Sequence, residues 1–302
     1  MAKPPLVSII IPHLNEPDLA ACLASLARQR SPGIQFEIIV VDNGSRQLPH
    51  AAIAAVPQAR LVVQPVPGPG PARNLGAAEA AGNILAFIDA DCVAAPNWLA
   101  SIAAWFAQHT ETDIVGGDIR IRPTDPNQLT AIEAYENIFS YRAREYVERY
   151  GFAATGNMAV RAEVFRQVGP FGGIGTMEDT EWGQRATAKG HRIAFLAEAR
   201  VYTPSCKCFS ELARRWDRHV AHEFRDARGP QGRLKWLAKS AVIAASPALE
   251  VARIWRSDRA GSLRERLLAL SCVTRVRLYR SRRMLQLAWH DNASSMVNMW
   301  NR

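Results

Sequence analysis

The sequence has no long hydrophobic run. A membrane-spanning helix needs about 20 consecutive apolar residues, and residues 236–252, which come nearest, are interrupted by a lysine, a proline and a glutamate. The apolar run at 7–11 is stopped by Pro12, and only Lys3 precedes it with charge, which is typical of a first strand rather than a secretory leader. We therefore expect no spanning helix, no signal peptide and a cytoplasmic location.

Cysteine is scarce and irregularly placed. The chain has five cysteines, and the closest two, Cys206 and Cys208, are too near each other for a usual zinc-binding pair. This pattern argues against a disulfide framework and a zinc site. Small buried thiols in a reducing compartment are the simpler expectation.

Net charge is almost absent from the first 228 residues. The whole chain has 37 Lys and Arg against 28 Asp and Glu, a net charge of +9. Residues 229–302 hold 14 of these basic and 4 of these acidic residues, so this tail carries +10 and the rest −1. The basic excess therefore describes an appendage and not the main domain.

Apolar segments alternate with helical patterns through the first hundred residues. Strands are predicted at 6–11, 36–41, 61–63 and 84–88, and helices at 17–29, 71–81 and 97–109. Fully apolar strands separated by helices indicate a parallel sheet covered on both faces. We expect an α/β fold with a Rossmann-like, mainly parallel sheet and a basic helical C-terminal extension.

Three regions are predicted along the chain: 1–115, 116–228 and 229–302. Helices are expected over 128–150 and 207–228, and no internal repeat is found. Gly229-Pro230-Gln231-Gly232 is the best linker candidate, because the charge shift begins there.

Polar residues follow three of the predicted strands, at 12–16, 42–45 and 89–91. Ligands of parallel sheets bind beyond the carboxyl ends of the strands, so we expect these segments to border one crevice. Strand alternation puts Asp89 and Asp91 on the same side of the chain, where carboxylates suit Mg²⁺ or Mn²⁺. An isolated Asp-x-Asp is more often a pair of solvated acids at a turn, and only the convergence of three segments favours a metal site.

Five motifs, in this order, resemble the family-two glycosyltransferases of the GT-A fold. They are Val7–Glu16, Val40–Ser45, Ala72-Arg73-Asn74-x-Gly76, Phe87–Asp91 and Glu178-Asp179. The resemblance covers roughly residues 6–220. It implies an inverting enzyme that moves one sugar from a nucleotide-diphosphate sugar to an acceptor hydroxyl, with 1–115 binding the donor and 116–228 the acceptor.

The resemblance also implies roles for donor-side residues. Pro12, Asn15 and Glu16 would line the nucleoside pocket, and Asp42 would hydrogen-bond the base, often uracil in this family. Arg73 would lie near the nucleotide. The Asp89-Ala90-Asp91 segment would contact the donor, with Asp89 against ribose and sugar and Asp91 ligating Mg²⁺ or Mn²⁺ on the diphosphate.

On the acceptor side, Asp179 matches the catalytic base of the family, and Glu178 lies beside it. Gly156-Asn157 resembles the segment that borders acceptor and donor sugar, and Trp182 and Arg185 follow one helical turn after Asp179. For Trp182, core packing is an equally good explanation. Glu178-Asp179 could also be acids favoured by a helix N-terminus.

Several segments depart from the pattern of the family. Leu212–Trp216 lacks the glutamine of the Q-x-x-R-W signature of processive synthases, and no spanning helix is expected, so transfer of a single sugar is expected rather than polymerisation. The expected acceptor is a lipid-linked or cell-envelope glycan. Asn43 stands where many relatives carry a second acid, and Val201–Pro204 lacks a histidine found in some.

Two alternative functions fit the sequence less well. A nucleotidyltransferase would usually have a glycine-rich loop where residues 12–16 stand. A non-catalytic sugar-nucleotide binder would need to have lost one of the acids.

The basic tail mixes tryptophan, tyrosine, leucine and arginine over residues 233–289. Such a helical segment can lie on an anionic membrane surface. A helical cap or a homodimer interface is the main alternative, and nucleic acid is not the expected partner. The sequence thus favours a protein that is either free in the cytoplasm or peripheral at the inner face of the plasma membrane.

Overall fold

A computed structural model describes residues 7–30, 33–125, 127–224 and 229–290. The strands are β1 (Val7–His13), β2 (Phe36–Asp42), β3 (Ala59–Val63), β4 (Ile84–Ile88), β5 (Val93–Ala94), β6 (Ile114–Arg122), β7 (Asn157–Arg161) and β8 (Ile193–Pro204). The helices are α1 (Leu19–Ala27), α2 (His50–Ala54), α3 (Pro69–Glu79), α4 (Trp98–Gln108), α5 (Ala131–Phe139), α6 (Ala143–Tyr150), α7 (Ala162–Val168), α8 (Glu178–Ala188), α9 (Phe209–Phe224), α10 (Gly229–Ala245), α11 (Pro247–Arg256) and α12 (Leu263–His290).

The chain divides into two compact units. The first contains residues 1–120 and 142–204, and the second contains 121–141 and 205–302. The sequence boundaries at 115/116 and 228/229 divide the chain differently. Residues 229–232, predicted as a linker, begin α10 instead. A proline is tolerated in the first turn of a helix, where its missing N–H has no partner to lose.

The sheet has the strand order β3-β2-β1-β4-β7-β6-β8-β5. The first four strands are parallel, as predicted. Burial on both faces explains the continuous apolar sequences of β1, β4 and most of β2, whereas the edge strand β3 is only half-buried. Beyond β4 the direction changes, since β7 is antiparallel to both β4 and β6, and β5 is antiparallel to β8. The α/β class is confirmed. The parallel part of the sheet is formed by β1–β4, the first four strands along the chain.

Close packing fixes α3 on the parallel strands. A Cβ atom at Gly76 would lie 2.5 Å from a methyl of Ile10 and 3.1 Å from one of Val41, so glycine permits this approach. On the face of the sheet that also carries Ile10, the ring of Phe87 in β4 lies 5.8 Å from that of Phe165 and 5.4 Å from that of Phe171. These contacts set the position of the carboxyl end of β4.

The predicted helix over 128–150 is two helices, α5 and α6. Thr130 caps α5 through a reciprocal arrangement with Glu133, and α6 ends at Gly151 in a left-handed conformation with φ 67°. The break at 140–142 separates the two units, so α5 belongs to the second unit and α6 to the first. An amphipathic pattern alone does not show such a break.

The second unit is helical, as expected for the C-terminal extension. Helix α12 packs against α5 through Ala269, Val273 and Val276 and against α10 through Met284. Trp236 Nε1 donates to the carbonyl of Met284 at 2.9 Å. Among the described residues, none of the helices is both long and apolar enough to cross a membrane.

Candidate active site

The loops after β1 and β2 are tied together in the first unit. The N–H of Asn15 donates to Ser45 Oγ at 2.8 Å, and Asn15 Oδ1 accepts from the N–H of Arg46 at 2.9 Å. Asn15 has φ 50°, a left-handed conformation that asparagine tolerates better than most residues. The two predicted segments at 12–16 and 42–45 therefore form one edge of the crevice.

Asp42 is buried beneath this edge and binds it through hydrogen bonds. Its Oδ1 accepts from the N–H groups of Gly44 and Ser45 at 3.0 Å each, and its Oδ2 lies 2.9 Å from His13 Nδ1. Burial favours a higher pKa for Asp42, but the hydrogen bonds from Ser45, His13 and the two N–H groups outweigh it and lower the pKa. Asp42 is a buried anion with both oxygens engaged, and its contact with a base stays a prediction. The pattern did not indicate His13, which lies inside the predicted segment.

Arg73 joins the two halves of the predicted site. Its Nη2 donates to Asp89 Oδ1 at 2.7 Å and its Nη1 donates to Glu178 Oε1 at 2.9 Å. The arginine side chain is buried, whereas Asp89 is 42% exposed. Gly156 lies against the other oxygen of Asp89, because a Cβ there would be 2.7 Å from Oδ2. Residues from α3, the segment directly after β4, the loop before β7 and α8 thus meet at one place.

Asp91 lies in an environment that disfavours its ionised form. Burial, followed by the negative charge of Asp89, raises its pKa to about 6, and Glu16 adds to the effect. A divalent cation would relieve this crowding of negative charge. Among the residues described, no cluster of three or more His, Cys, Asp or Glu could hold a metal by itself. This donor set suits Mg²⁺ or Mn²⁺, which commonly bind one or two carboxylates together with substrate phosphates.

Asp179 lies in the first turn of α8. Burial and the adjacent charge of Glu178 raise its pKa, while hydrogen bonds from Thr180 and the charge of Arg73 act in the opposite direction. The N–H of Thr180 donates to Asp179 Oδ1 at 2.7 Å. The helix terminus explains why acids are tolerated here. A carboxyl with a raised pKa is suited to proton transfer near neutral pH.

The glycine-rich loop before α8 is anchored at its start. Asn74 donates to the carbonyl of Phe171 at 3.0 Å and accepts from its N–H at 2.8 Å. Arg185 donates to the carbonyl of Pro170 at 2.6 Å. The following residues are exposed, including Ile174 at 56% and Met177 at 54%. The segment 172–177 is therefore an exposed loop between a fixed start and the acids of α8.

Other predicted site residues have structural contacts. Trp182 is completely buried, and its Nε1 donates to the carbonyl of Gly169, so in this conformation its ring cannot contact an acceptor. Asn157 is also buried, where it accepts from Trp98 Nε1 at 2.8 Å and donates to two backbone carbonyls. Arg185 donates to the carbonyl of Pro170 at the start of the glycine-rich loop. Core packing, the alternative given for Trp182, is what the structure shows.

The remaining donor-side residues lie as follows. Pro12 is half-buried in β1 beside Val41, and Ala90 is buried between the two aspartates. Glu16 accepts from the N–H of Asp18 at 3.0 Å. Asn15 and Glu16 also line a cavity of about 390 Å³ on the α1–α2 side of the loops. Arg73 and the aspartates do not line it, so the cavity does not define the crevice.

Asn43 has a structural task that its sequence position did not indicate. Its Nδ2 donates to the carbonyls of Gln64 and Val66 at 2.9 and 2.7 Å, and its Oδ1 accepts from the N–H of Gly68 at 2.6 Å. An aspartate has no N–H to donate to the two carbonyls. The proline- and glycine-rich loop before α3 is therefore held by an amide, and an acid would not replace it.

Comparisons with solved structures define the class of fold. The mannosyltransferase PcManGT from Pyrobaculum calidifontis, solved with GDP-Man and Mn²⁺, superposes with a TM-score of 0.58 at 20% identity, over 100% of this chain and 89% of that one. S. aureus TarS 1-349 in complex with UDP-GlcNAc gives 0.52 at 18% identity, over 97% and 91%. The protein has the GT-A fold of these glycosyltransferases.

Sequence comparisons identify the family. The pattern of Glycosyl transferase family 2 matches residues 8–169. Glycosyltransferase AglE of Haloferax volcanii is 32% identical over 218 residues, 70% of each chain. A PGL/p-HBAD biosynthesis glycosyltransferase of Mycobacterium tuberculosis is 38% identical over 128 residues, 40% of this chain and about half, 49%, of the relative. This chain belongs to glycosyl transferase family 2.

Proposed function

We propose that the protein is an inverting glycosyltransferase that moves a single sugar from a UDP-sugar to an acceptor hydroxyl. The observation that carries this proposal is the double ion pair of Arg73, which joins Asp89 to Glu178. Through it, the donor-side acids at the end of β4 lie close to the acid pair of α8. Inversion needs such an arrangement, because the base and the leaving group act on opposite faces of the sugar.

A divalent cation, Mg²⁺ or Mn²⁺, is part of the proposal, with Asp91 as its protein ligand. Bound on the diphosphate, the ion would stabilise the negative charge that develops on the leaving nucleotide. Asp89 is held by Arg73 and by the close approach of Gly156, so its partly exposed carboxylate is oriented before a donor arrives. This division of roles gives one aspartate to the metal and the other to the ribose and sugar.

Asp179 is the proposed base. Its raised pKa makes it a better proton acceptor than an ordinary carboxylate, and it is still ionised above that pKa. Glu178, paired with Arg73, stays in place beside it. The acceptor hydroxyl would lose its proton to Asp179 as its oxygen attacks the anomeric carbon. Gly156 and the exposed part of the loop at 172–177 would border the acceptor.

The proposed classes of donor and acceptor rest on similarity to other glycosyltransferases. TarS was solved with UDP-GlcNAc, and PcManGT with GDP-Man and Mn²⁺. The mycobacterial relative takes part in PGL/p-HBAD biosynthesis. We propose UDP as the nucleotide and a lipid-linked or cell-envelope glycan as the acceptor. The enzyme would then act at the cytoplasmic side of the membrane as a peripheral protein.

A donor screen tests this proposal. Thermal shifts with UDP-, GDP- and dTDP-sugars should show binding of UDP-sugars that depends on Mn²⁺ or Mg²⁺, and NMR of the product should show an inverted anomeric configuration. Asp179→Asn should still bind donor but lose transfer, whereas Asp91→Asn should lose metal-dependent binding. Near-wild-type transfer by Asp179→Asn would refute the base assignment. Donor binding without turnover of any acceptor or of water would favour a sugar-nucleotide binder.

A further inference from the structure

One side of α12 is exposed along almost its full length. The exposed positions are Arg264, Leu267, Ser271, Arg275, Leu278, Arg282 and Trp289. Their spacing places them on a single side of a helix with 3.6 residues per turn, and they extend over about 38 Å. The opposite side carries the buried residues Ala269, Val276 and Met284. These seven exposed residues are called the α12 outer face below.

The outer face combines apolar and basic side chains without an acid. Leu267, Leu278 and Trp289 are 52%, 53% and 75% exposed. Arg264 and Arg282 are exposed and form no ion pair with any described residue. The single acid of the helix, Glu265, lies outside the stripe.

Two other arginines of α12 lie outside this face and are paired with acids. Arg277 Nη2 lies 2.6 Å from Glu250, and Arg283 Nε lies 2.8 Å from Asp217. Arg277 and Arg283 are thus paired within the unit, whereas Arg264 and Arg282 are presented to the outside. Arg275 is fixed over the ring of Phe209, with its guanidinium carbon 3.8 Å from the ring centre. The exposed positive charge is therefore a property of one face and not of the helix as a whole.

We propose that the α12 outer face binds the surface of an anionic lipid bilayer. A straight helix lying in the plane of the headgroups would insert Leu267, Leu278 and Trp289 at the boundary of the acyl chains, while the arginines contact lipid phosphates. Tryptophan suits this boundary because its ring is apolar and its N–H is polar.

Charge and shape favour this partner over two others. A second copy of the chain would bring one arginine face against another, which repels. A nucleic acid would pair with the arginines but leave two leucines in water. A bilayer accommodates both kinds of side chain at once. This inference does not depend on the reaction proposed above.

Flotation of the full chain with vesicles tests the proposal. Wild type should bind phosphatidylcholine vesicles that contain phosphatidylglycerol and should bind pure phosphatidylcholine weakly. The double variant Arg264→Glu/Arg282→Glu should lower the partition constant at least about 30-fold, since each basic side chain near the surface contributes about fivefold. Leu267→Gln/Leu278→Gln, which keeps the charge, should lower it on the order of tenfold.

A matched control separates this face from overall charge. Arg166→Glu/Arg192→Glu changes the net charge equally at exposed positions of the first unit and should leave vesicle binding within about twofold of wild type. All variants should keep the thermal melting point and donor binding of wild type, because the altered residues are exposed.

Four results would overturn the proposal. They are no binding by wild type, equal losses in the control and the α12 variants, loss with the arginine variant but not the leucine variant, and a change from dimer to monomer in light scattering when the leucines are replaced. The third result would indicate a polyanion such as nucleic acid, and the fourth an interface between two copies.

Discussion

Replacing Asp91 by asparagine should stabilise the metal-free protein while removing its activity. The pKa of Asp91 is raised to about 6 by burial and by Asp89. An aspartate in an unfolded chain has a pKa of about 3.9. The folded protein therefore holds the proton more tightly than the unfolded chain, and its stability falls as the pH rises from about 4 through 6.

The size of the effect follows from this difference of about two pKa units. Each unit corresponds to about 1.36 kcal/mol, so the ionised carboxylate costs about 3 kcal/mol well above pH 6. Asparagine removes that cost and keeps an Oδ1 that can accept the weak contact from Cys92 Sγ, which lies 3.4 Å from Oδ1 of Asp91. The gain should shrink to less than ~1 kcal/mol near pH 4, where the carboxyl is protonated in the folded protein.

The measurement is urea or thermal unfolding of wild type and Asp91→Asn, in chelator, across this pH range. Glu111→Gln is the control, since it removes the same charge from an exposed position. Adding Mn²⁺ with a UDP-sugar should stabilise wild type and not the variant. A loss of stability in Asp91→Asn that is equal at all pH values would show that the pKa of Asp91 is not raised in the folded protein.

Three further substitutions test the frame of the site. Arg73→Gln should lower kcat/KM on the order of a hundredfold or more and, because the charge of Arg73 lowers the pKa of Asp179, should move the acid limb of the pH–rate profile to higher pH; an unmoved limb would argue against this coupling. Asn43→Asp should cost about 1 kcal/mol in unfolding experiments, since the partly exposed carbonyls of Gln64 and Val66 lose their donor; unchanged stability would contradict this. Asn74→Ala should cost about 1–2 kcal/mol and speed amide exchange at 171–177, and unchanged exchange there would show that Asn74 is not the anchor.

The parallel strands and their carboxyl ends could be predicted because each signal is local. An uninterrupted apolar run such as 84–88 can be buried on both faces only within a covered sheet. The acids that follow it are then placed by the strand. The direction of β7 could not be predicted, because antiparallel pairing with β4 depends on partners far along the chain and not on the short sequence Asn157–Arg161.

The roles of individual polar side chains were harder to predict, for a related reason. His13, Asn43 and Asn74 each bond to residues at least 21 positions away. A hydrogen bond of this kind leaves no spacing pattern in the sequence. Trp182 illustrates the opposite case, since its helical spacing from Asp179 fitted a site residue and a core residue equally well. Its burial decides between them.

The anchored start of the glycine-rich loop has a consequence for protein engineering. Asn74 and Arg185 hold the backbone just before residue 172, and α8 begins directly after residue 177. The exposed stretch between these points can therefore be exchanged as a cassette, because its side chains contribute little to the folded core. A library restricted to Ile174, Met177 and their neighbours should alter the choice of acceptor while the scaffold keeps its stability.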